Sequence, residues 1–169
     1  ISSSVTQIKA TVPETKNGAV AITSNGITSQ GPIFKFIPQI TGLDKTNGFA
    51  GETVVLTGKY FDAGPNVGVS FNGVAATIVS NTSSSLEVRV PASTSGNVVV
   101  TVDGINSNAQ IFTYKVAPSI TGLSKTTAFA QDTLTVYGRN FNGSGTPIVN
   151  FEGVAATVLG HSATEIKVR

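Results

Sequence analysis

The stretch beginning at Pro38, PQITGLDKTNGFAGETVVLTGKYF, returns 80 residues later from Pro118 as PSITGLSKTTAFAQDTLTVYGRNF. The offset holds without a gap through SFNGVAATIV and NFEGVAATVL, and 21 of the 52 positions in 38–89 are identical in 118–169. A chain with such a period is built from one supersecondary unit used repeatedly, so the fold has to be one that closes in about 80 residues. The start of the chain matches a different part of the same unit. IKATVPETKNGAVAITSNGITSQGPIFKF, from Ile8 to Phe36, aligns with Leu86–Tyr114 at an offset of 78. The expected organisation is therefore the C-terminal half of a first unit over 1–37, a complete unit over 38–117, and the N-terminal two-thirds of a third over 118–169.

Each unit reads as strands. Val54, Leu56, Val69 and Phe71 alternate with polar or outward positions at period 2, and Leu134, Val136, Val149 and Phe151 repeat the pattern. Leu86, Val88 and Val90, then Val98 and Val100, mark two more strands, and Ile111 to Tyr114 the last. Asn72-Gly73 and Asp103-Gly104 join such runs, and a two-residue type I′ hairpin turn requires positive φ at both positions. Glu152 replaces the Asn in the later copy, so a different turn type is expected there. About seven short strands per unit, punctuated by turns and without any helical period, predict an all-β chain of tandem β-sandwiches. The links between units hold one residue (Ile37) and three (Lys115–Ala117), each closed by a proline, which predicts a semi-rigid array.

Composition narrows the function classes. Thr and Ser number 39 and Val 21, charged residues are 12%, and Cys, Met and Trp are absent. Without Cys there is no disulfide framework, thiolate zinc site or cysteine nucleophile. A net charge of +2, scattered along the chain, is no footprint for nucleic acid. No apolar run is long enough for a direct membrane span.

Pro38, Gly42, Phe49, Thr53, Gly58, Phe61, Phe71, Gly73, Ala75, Ala76 and Thr77, with their copies 80 residues on, form a recurring string that resembles the IPT/TIG family of immunoglobulin-like domains. Val90-Pro91, Gly96, Val98, Val100 and Phe112 fit the second half of the family pattern, as do Val12-Pro13, Gly18, Val20, Ile22 and Phe34. Gln131 departs from it, standing where the first copy has Gly51. The resemblance implies tandem immunoglobulin-like sandwiches. Cysteine-free, hydroxyl-rich copies are similar to those of Bacteroidota surface proteins, where such repeats space a binding domain from the membrane.

Candidate sites are few. His161, the lone histidine, reads as an exposed turn residue, and the nine carboxylates are dispersed, so no catalytic residue is assigned. No cofactor is expected and no metal site is assigned; Asp62 and Asn66 offer two possible calcium ligands where several oxygens are needed. Tyr60 and Tyr137 lack a tyrosine in the matching copies and are the possible ligand contacts, for a glycan above all, because flat aromatic rings carry sugar recognition. Asn81-Thr-Ser and Asn142-Gly-Ser fit the N-glycosylation pattern.

The expected role is a non-catalytic spacer or adhesin stalk, extracellular or on a bacterial cell surface. Its partners would be neighbouring repeats of the same or identical chains, with polysaccharide bound through a domain outside this segment. Two alternatives remain: a fibre subunit assembled head-to-tail by completion of the terminal units, and a surface glycan-binding module. As isolated folds the terminal units would expose Val20, Ile22, Phe34, Phe141 and Phe151, although both ends carry the strand equivalent to 86–89, which counts against a clean exchange.

Overall fold

The computed structural model describes residues 2, 3, 6–143 and 145–169, and every regular element among them is a strand. The chain divides into two compact units, residues 1–115 and 116–169. The N-terminal segment contributes β1 (Ser2–Ser3), β2 (Ile8–Lys9), β3 (Gly18–Ser24) and β4 (Ile27–Phe34). The sandwich that follows it holds β5 (Gln39–Leu43), β6 (Asn47–Gly48), β7 (Thr53–Lys59), β8 (Val67–Phe71), β9 (Val74–Ala75), β10 (Thr77–Asn81), β11 (Ser85–Arg89), β12 (Gly96–Val102), β13 (Ile105–Asn106) and β14 (Gln110–Tyr114). Seven of these ten strands are five to seven residues long, as the repeat predicts.

The sandwich has two sheets, ordered β10-β11-β7-β5 and β6-β14-β12-β8-β9, with β13 also on β12. All pairs are antiparallel except β6 on β14, where Asn47 and Gly48 run parallel to Thr113 and Tyr114. Period-2 alternation sends Val54, Leu56, Leu86 and Val88 from one sheet to meet Val69, Phe71, Val98, Val100, Val102 and Phe112 from the other. All are buried, each such side chain stabilising the fold by roughly 1.5–3 kcal/mol. Phe71 and Phe112 meet edge to face at 5.0 Å across β8 and β14.

The second unit is built from β15 (Ser119–Leu123), β16 (Leu134–Arg139), β17 (Asn150–Phe151), β18 (Val154–Ala155), β19 (Val158–His161) and β20 (Glu165–Val168). Its sheet, β15-β16-β20-β19, repeats β5-β7-β11-β10 down to the irregularities. The register slips at Ile120/Gly122 as it does at Ile40/Gly42, and at Val158/Gly160 as at Ile78/Ser80. Residues 118–169 correspond to 38–89, so counterparts of β12 and β14 are not among them.

Two details correct the sequence reading. Glu152-Gly153 keeps the turn of the earlier copy: φ is 49° and 85°, against 47° and 82° at Asn72-Gly73. Two residues between Phe151 and Val154, paired as Phe71 and Val74 are, favour the type I′ turn with two positive φ values, and with Gly153 at the second position rather than the first the alternative II′ turn is disfavoured. Phe141, expected to be exposed, is buried at 6%, packed with Val136, Ile166 and Val168. It folds back over Gly138 of its own sheet, as Phe61 does over Gly58, and a Cβ on either glycine would collide with that ring and with the carbonyl oxygen of Ser119 or Gln39. The Gly-x-x-Phe string is therefore a packing motif. Val20, Ile22, Phe34 and Phe151 are exposed as expected, between 42% and 51%.

Candidate functional site: the junction of residues 14–36 with the following sandwich

The densest polar constellation in the first unit lies where the N-terminal segment meets the sandwich, and Asn17 is its pivot. Its side chain is two-ended. Oδ1 accepts a hydrogen bond from the Phe36 N–H at 2.8 Å, tying the entrance of β3 to the residues just past β4. Nδ2 donates to Asp103 Oδ2 at 3.1 Å, on the β12–β13 turn of the sandwich, and the Asn17 backbone N–H donates to the Ala63 carbonyl at 2.8 Å. One residue thus spans both sides of the junction through three bonds.

Asp103 is the receiving end. It begins a two-residue turn with φ of 48°, a left-handed conformation that Asp and Asn tolerate better than most residues. Its Oδ1 accepts from the Asn66 backbone N–H at 3.2 Å and from Asn66 Nδ2 at 3.1 Å, while Lys35 Nζ donates to its main-chain carbonyl at 2.7 Å. The hydrogen bond from Asn17 leads the effects that hold its carboxyl below the ordinary range; the Asn66 bonds and the Lys35 charge act in the same direction, against some desolvation.

Apolar contact supplies the rest. Phe36 is buried at 9% exposure; the Tyr60 ring stacks on it with centroids 4.8 Å apart, and Phe34 meets its edge at 5.3 Å. Tyr60 holds a left-handed φ of 61°, an uncommon conformation for a bulky residue. Its hydroxyl donates to Glu14 Oε1 at 3.4 Å. Around the rim, Lys16 pairs with Asp62 at 3.0 Å and Lys59 with Glu14 at 3.7 Å. Both pairs are solvent-facing and contribute at most about 1 kcal/mol each, so the stack and the Asn17 bridge dominate.

The sequence-predicted residues fall as follows. Tyr60 is half-buried, one face covered by Phe36, while Tyr137 lies on β16 of the other unit with 40% of its surface exposed. The structure does not gather them into one patch within a unit. Asp62 and Asn66, weighed as calcium ligands, are engaged by Lys16 and Asp103. Among the described residues, no group of three or more His, Cys, Asp or Glu side chains is placed to hold a metal ion. His161 is exposed but ends β19 rather than sitting in a turn. Asp103 was read from the sequence only as a turn former, and Asn17, followed by Gly18, carries no more than the same turn signal. The available signal was Asn17 itself, which replaces the Ser95 of the aligned copy.

A family model described as the IPT/TIG domain matches residues 38–115 and 118–169. The chain belongs to the IPT/TIG family. The solved structures it resembles include an auxiliary nutrient binding protein from Bacteroides ovatus, at 25% identity over 52% of this chain and 23% of that one, with a TM-score of 0.43. A surface glycan-binding protein from Prevotella bryantii matches at 17% identity over 79% and 36%, TM-score 0.46. The plexin A4 extracellular region matches at 19% over 92% and 15%, TM-score 0.47. This IPT/TIG chain spans well under half the length of each. No helix among its described residues is long and apolar enough to cross a membrane.

Proposed function

We propose that this IPT/TIG chain is a non-catalytic, semi-rigid spacer of an extracellular or bacterial surface protein, divided into units at 1–37, 38–117 and 118–169. It projects a binding domain, with polysaccharide bound through a domain outside these residues. The observation that carries the reading is the Asn17 bridge: three hydrogen bonds from one residue, backed by the Phe36–Tyr60 stack, resist bending where one unit meets the next. Residual dipolar couplings test it. The β3–β4 hairpin and the sandwich are expected to share one alignment tensor; separate tensors would remove the spacer reading.

A second reading, fibre assembly by exchange of strands, is favoured by one specific observation. Val20, Ile22 and Phe34 are exposed, whereas their aligned counterparts Val98, Val100 and Phe112 are fully or almost fully buried beneath a facing sheet. A neighbouring unit, in the same chain or another, covers such a face in this reading. Sedimentation velocity of the 169-residue chain distinguishes the two: concentration-dependent polymers favour exchange, and a monomer at all concentrations removes it.

A further inference from the structure

Asn17 is followed by Gly18, and that pair carries a reaction as well as a bridge. In an Asn-Gly sequence the deprotonated glycine nitrogen attacks the Asn side-chain carbon Cγ. The new N–Cγ bond closes a succinimide ring, the Cγ–Nδ2 bond breaks and ammonia leaves. Water then opens the ring at either carbonyl, giving Asp or its β-linked isomer. The balance is an amide plus water to a carboxylic acid plus ammonia, with no oxidant or cofactor. Glycine favours the closure because no Cβ stands beside the attacking nitrogen and the backbone there turns freely.

The closed junction withholds each part of that step. Asn17 Oδ1 is held by the Phe36 N–H at 2.8 Å and Nδ2 by Asp103 at 3.1 Å, so Cγ is not free to swing toward the Gly18 nitrogen. The Asn17 N–H is tied to the Ala63 carbonyl at 2.8 Å, and Gly18 is paired with Phe34 at the head of β3. Gly64 lets the parts come this close: a Cβ there would overlap the Asp103 carboxylate and stand 2.9 Å from Asn17 Nδ2. The first unit has three more Asn-Gly pairs, Asn25-Gly26 and Asn72-Gly73 in hairpin turns and Asn47-Gly48 in β6. Of the four, only Asn17 donates its side-chain amide to a carboxylate.

That amide is what the bridge needs from this residue. Ser95, aligned with Asn17, accepts from the Tyr114 N–H at 2.9 Å as Asn17 Oδ1 accepts from the Phe36 N–H, so a hydroxyl serves for the accepting half. Only Nδ2 reaches Asp103, and the reaction removes it. In the product a carboxylate oxygen stands where Nδ2 stood, facing Asp103 Oδ2 with no proton between them at neutral pH, and the like charges repel. The β-linked isomer also lengthens the main chain by one methylene at the entrance to β3.

We infer that Asn17-Gly18 is a deamidation site gated by the junction: closed, the brace protects its own pivot; open, it exposes a reaction whose product cannot rebuild the Asn17–Asp103 bond. The inference goes beyond the spacer reading and does not rest on it, because it follows from the bonds around Asn17 whatever the chain carries.

Peptide mass mapping of the 169-residue chain, held at mildly alkaline pH in water enriched in heavy oxygen, tests it. Asn17 in the folded chain is expected to convert at least about tenfold more slowly than in a synthetic peptide of residues 12–22. Asp103→Gly, which keeps a residue suited to the left-handed turn, is expected to recover most of that difference and to leave the conversion of Asn25 unchanged. Equal rates in chain and peptide would overturn the gate, and that comparison needs no variant. A rate left slow in Asp103→Gly, with the amide spectrum of β12 showing the sandwich folded, would overturn Asp103 as the latch. Gly18→Ala is expected to suppress conversion and keep the brace, since a Cβ there meets only the Lys16 carbonyl at 4.0 Å. Asn17→Asp reproduces the product, and carboxyl carbon resonances are expected to show Asp103 titrating at higher pH than in the native chain. A titration of Asp103 unchanged by Asn17→Asp would overturn the claim that the product disables the bond.

Discussion

Residues 38–89 and 118–169 carry one sequence pattern through two different surroundings. Where packing is internal to a single sheet, the copies agree: Phe61 and Phe141 are both buried over Gly58 and Gly138. Where burial needs the facing sheet, they part. Ile40 is 2% exposed and Ile120 67%; Phe71 is 2% exposed and Phe151 49%. The ladder and the Gly-x-x-Phe lock are thus properties of the local string, and the sandwich core is a property of two sheets meeting. Residues 38–89 order the first layer by themselves, and the facing layer is completed by β12 and β14 of the same repeat.

That division predicts unequal effects of equal substitutions. The largest is at the paired phenylalanines. Phe61→Ala is expected to cost about 3–5 kcal/mol, because beyond its own glycine the ring belongs to the large core cluster of the sandwich, and Phe141→Ala, in a cluster of four buried residues, distinctly less. Denaturant unfolding checks this, with tyrosine fluorescence from Tyr60 and Tyr114 reporting the first unit and Tyr137 the second. Equal costs would show that the facing sheet adds nothing. Next come the glycines. Gly58→Ala and Gly138→Ala meet the same ring and the same carbonyl, so each is expected to cost a similar ~1–3 kcal/mol despite the difference in surroundings. A difference beyond that range would place the strain outside the local motif.

Two further tests work at the turns and the titrating groups. Gln131 has φ of 73° where the first copy has Gly51 at 85°, so Gln131→Gly is expected to stabilise the second unit by about 1 kcal/mol, and Gly51→Gln to destabilise the first comparably. Thermal melts of the two variants check the sign. The smallest effect is with pH. The hydrogen bond from Asn17 and its companions hold Asp103 below its ordinary value of 3.8, and the hydrogen bond from Lys125, with the Phe129 N–H, does the same for Asp132. A carboxylate with a lowered folded pKa stabilises the fold above its unfolded pKa, and that stabilisation fades as pH falls through the folded value. Acidification below about pH 4 is therefore expected to loosen both sites, read as amide shifts at Asn17 and Asn66 in one unit and Phe129 in the other. Asp103→Asn removes the response at the first and leaves the second.

Much of this could be read without coordinates. The 80-residue period, the alternation of Val54, Leu56, Leu86 and Val88, and the Asn72-Gly73 and Asp103-Gly104 turns located the strands and the inward faces. Period-2 patterning and turn chemistry are local, so they are written in neighbouring letters. The turn at Glu152 was misread for the opposite reason: residue identity argued for a different loop, but pairing across the hairpin overrode the preference. Phe141 was misread because its cover is a glycine three residues back, which a search for a facing strand does not consider.

The junction was hidden more deeply. Glu14, Asn17, Lys35, Tyr60 and Asp103 each look unremarkable in sequence, as turn, surface or strand residues, and Asn17 and Asp103 stand 86 positions apart. By itself the sequence determined the repeat, the sheets and which side chains could face inward, because those follow from spacing along the chain. Only the tertiary structure decided which of those faces are covered and which polar residues become a brace. Burial and hydrogen bonding between distant segments depend on where the fold brings them, and the one-letter pattern carries no distance between Asn17 and Asp103.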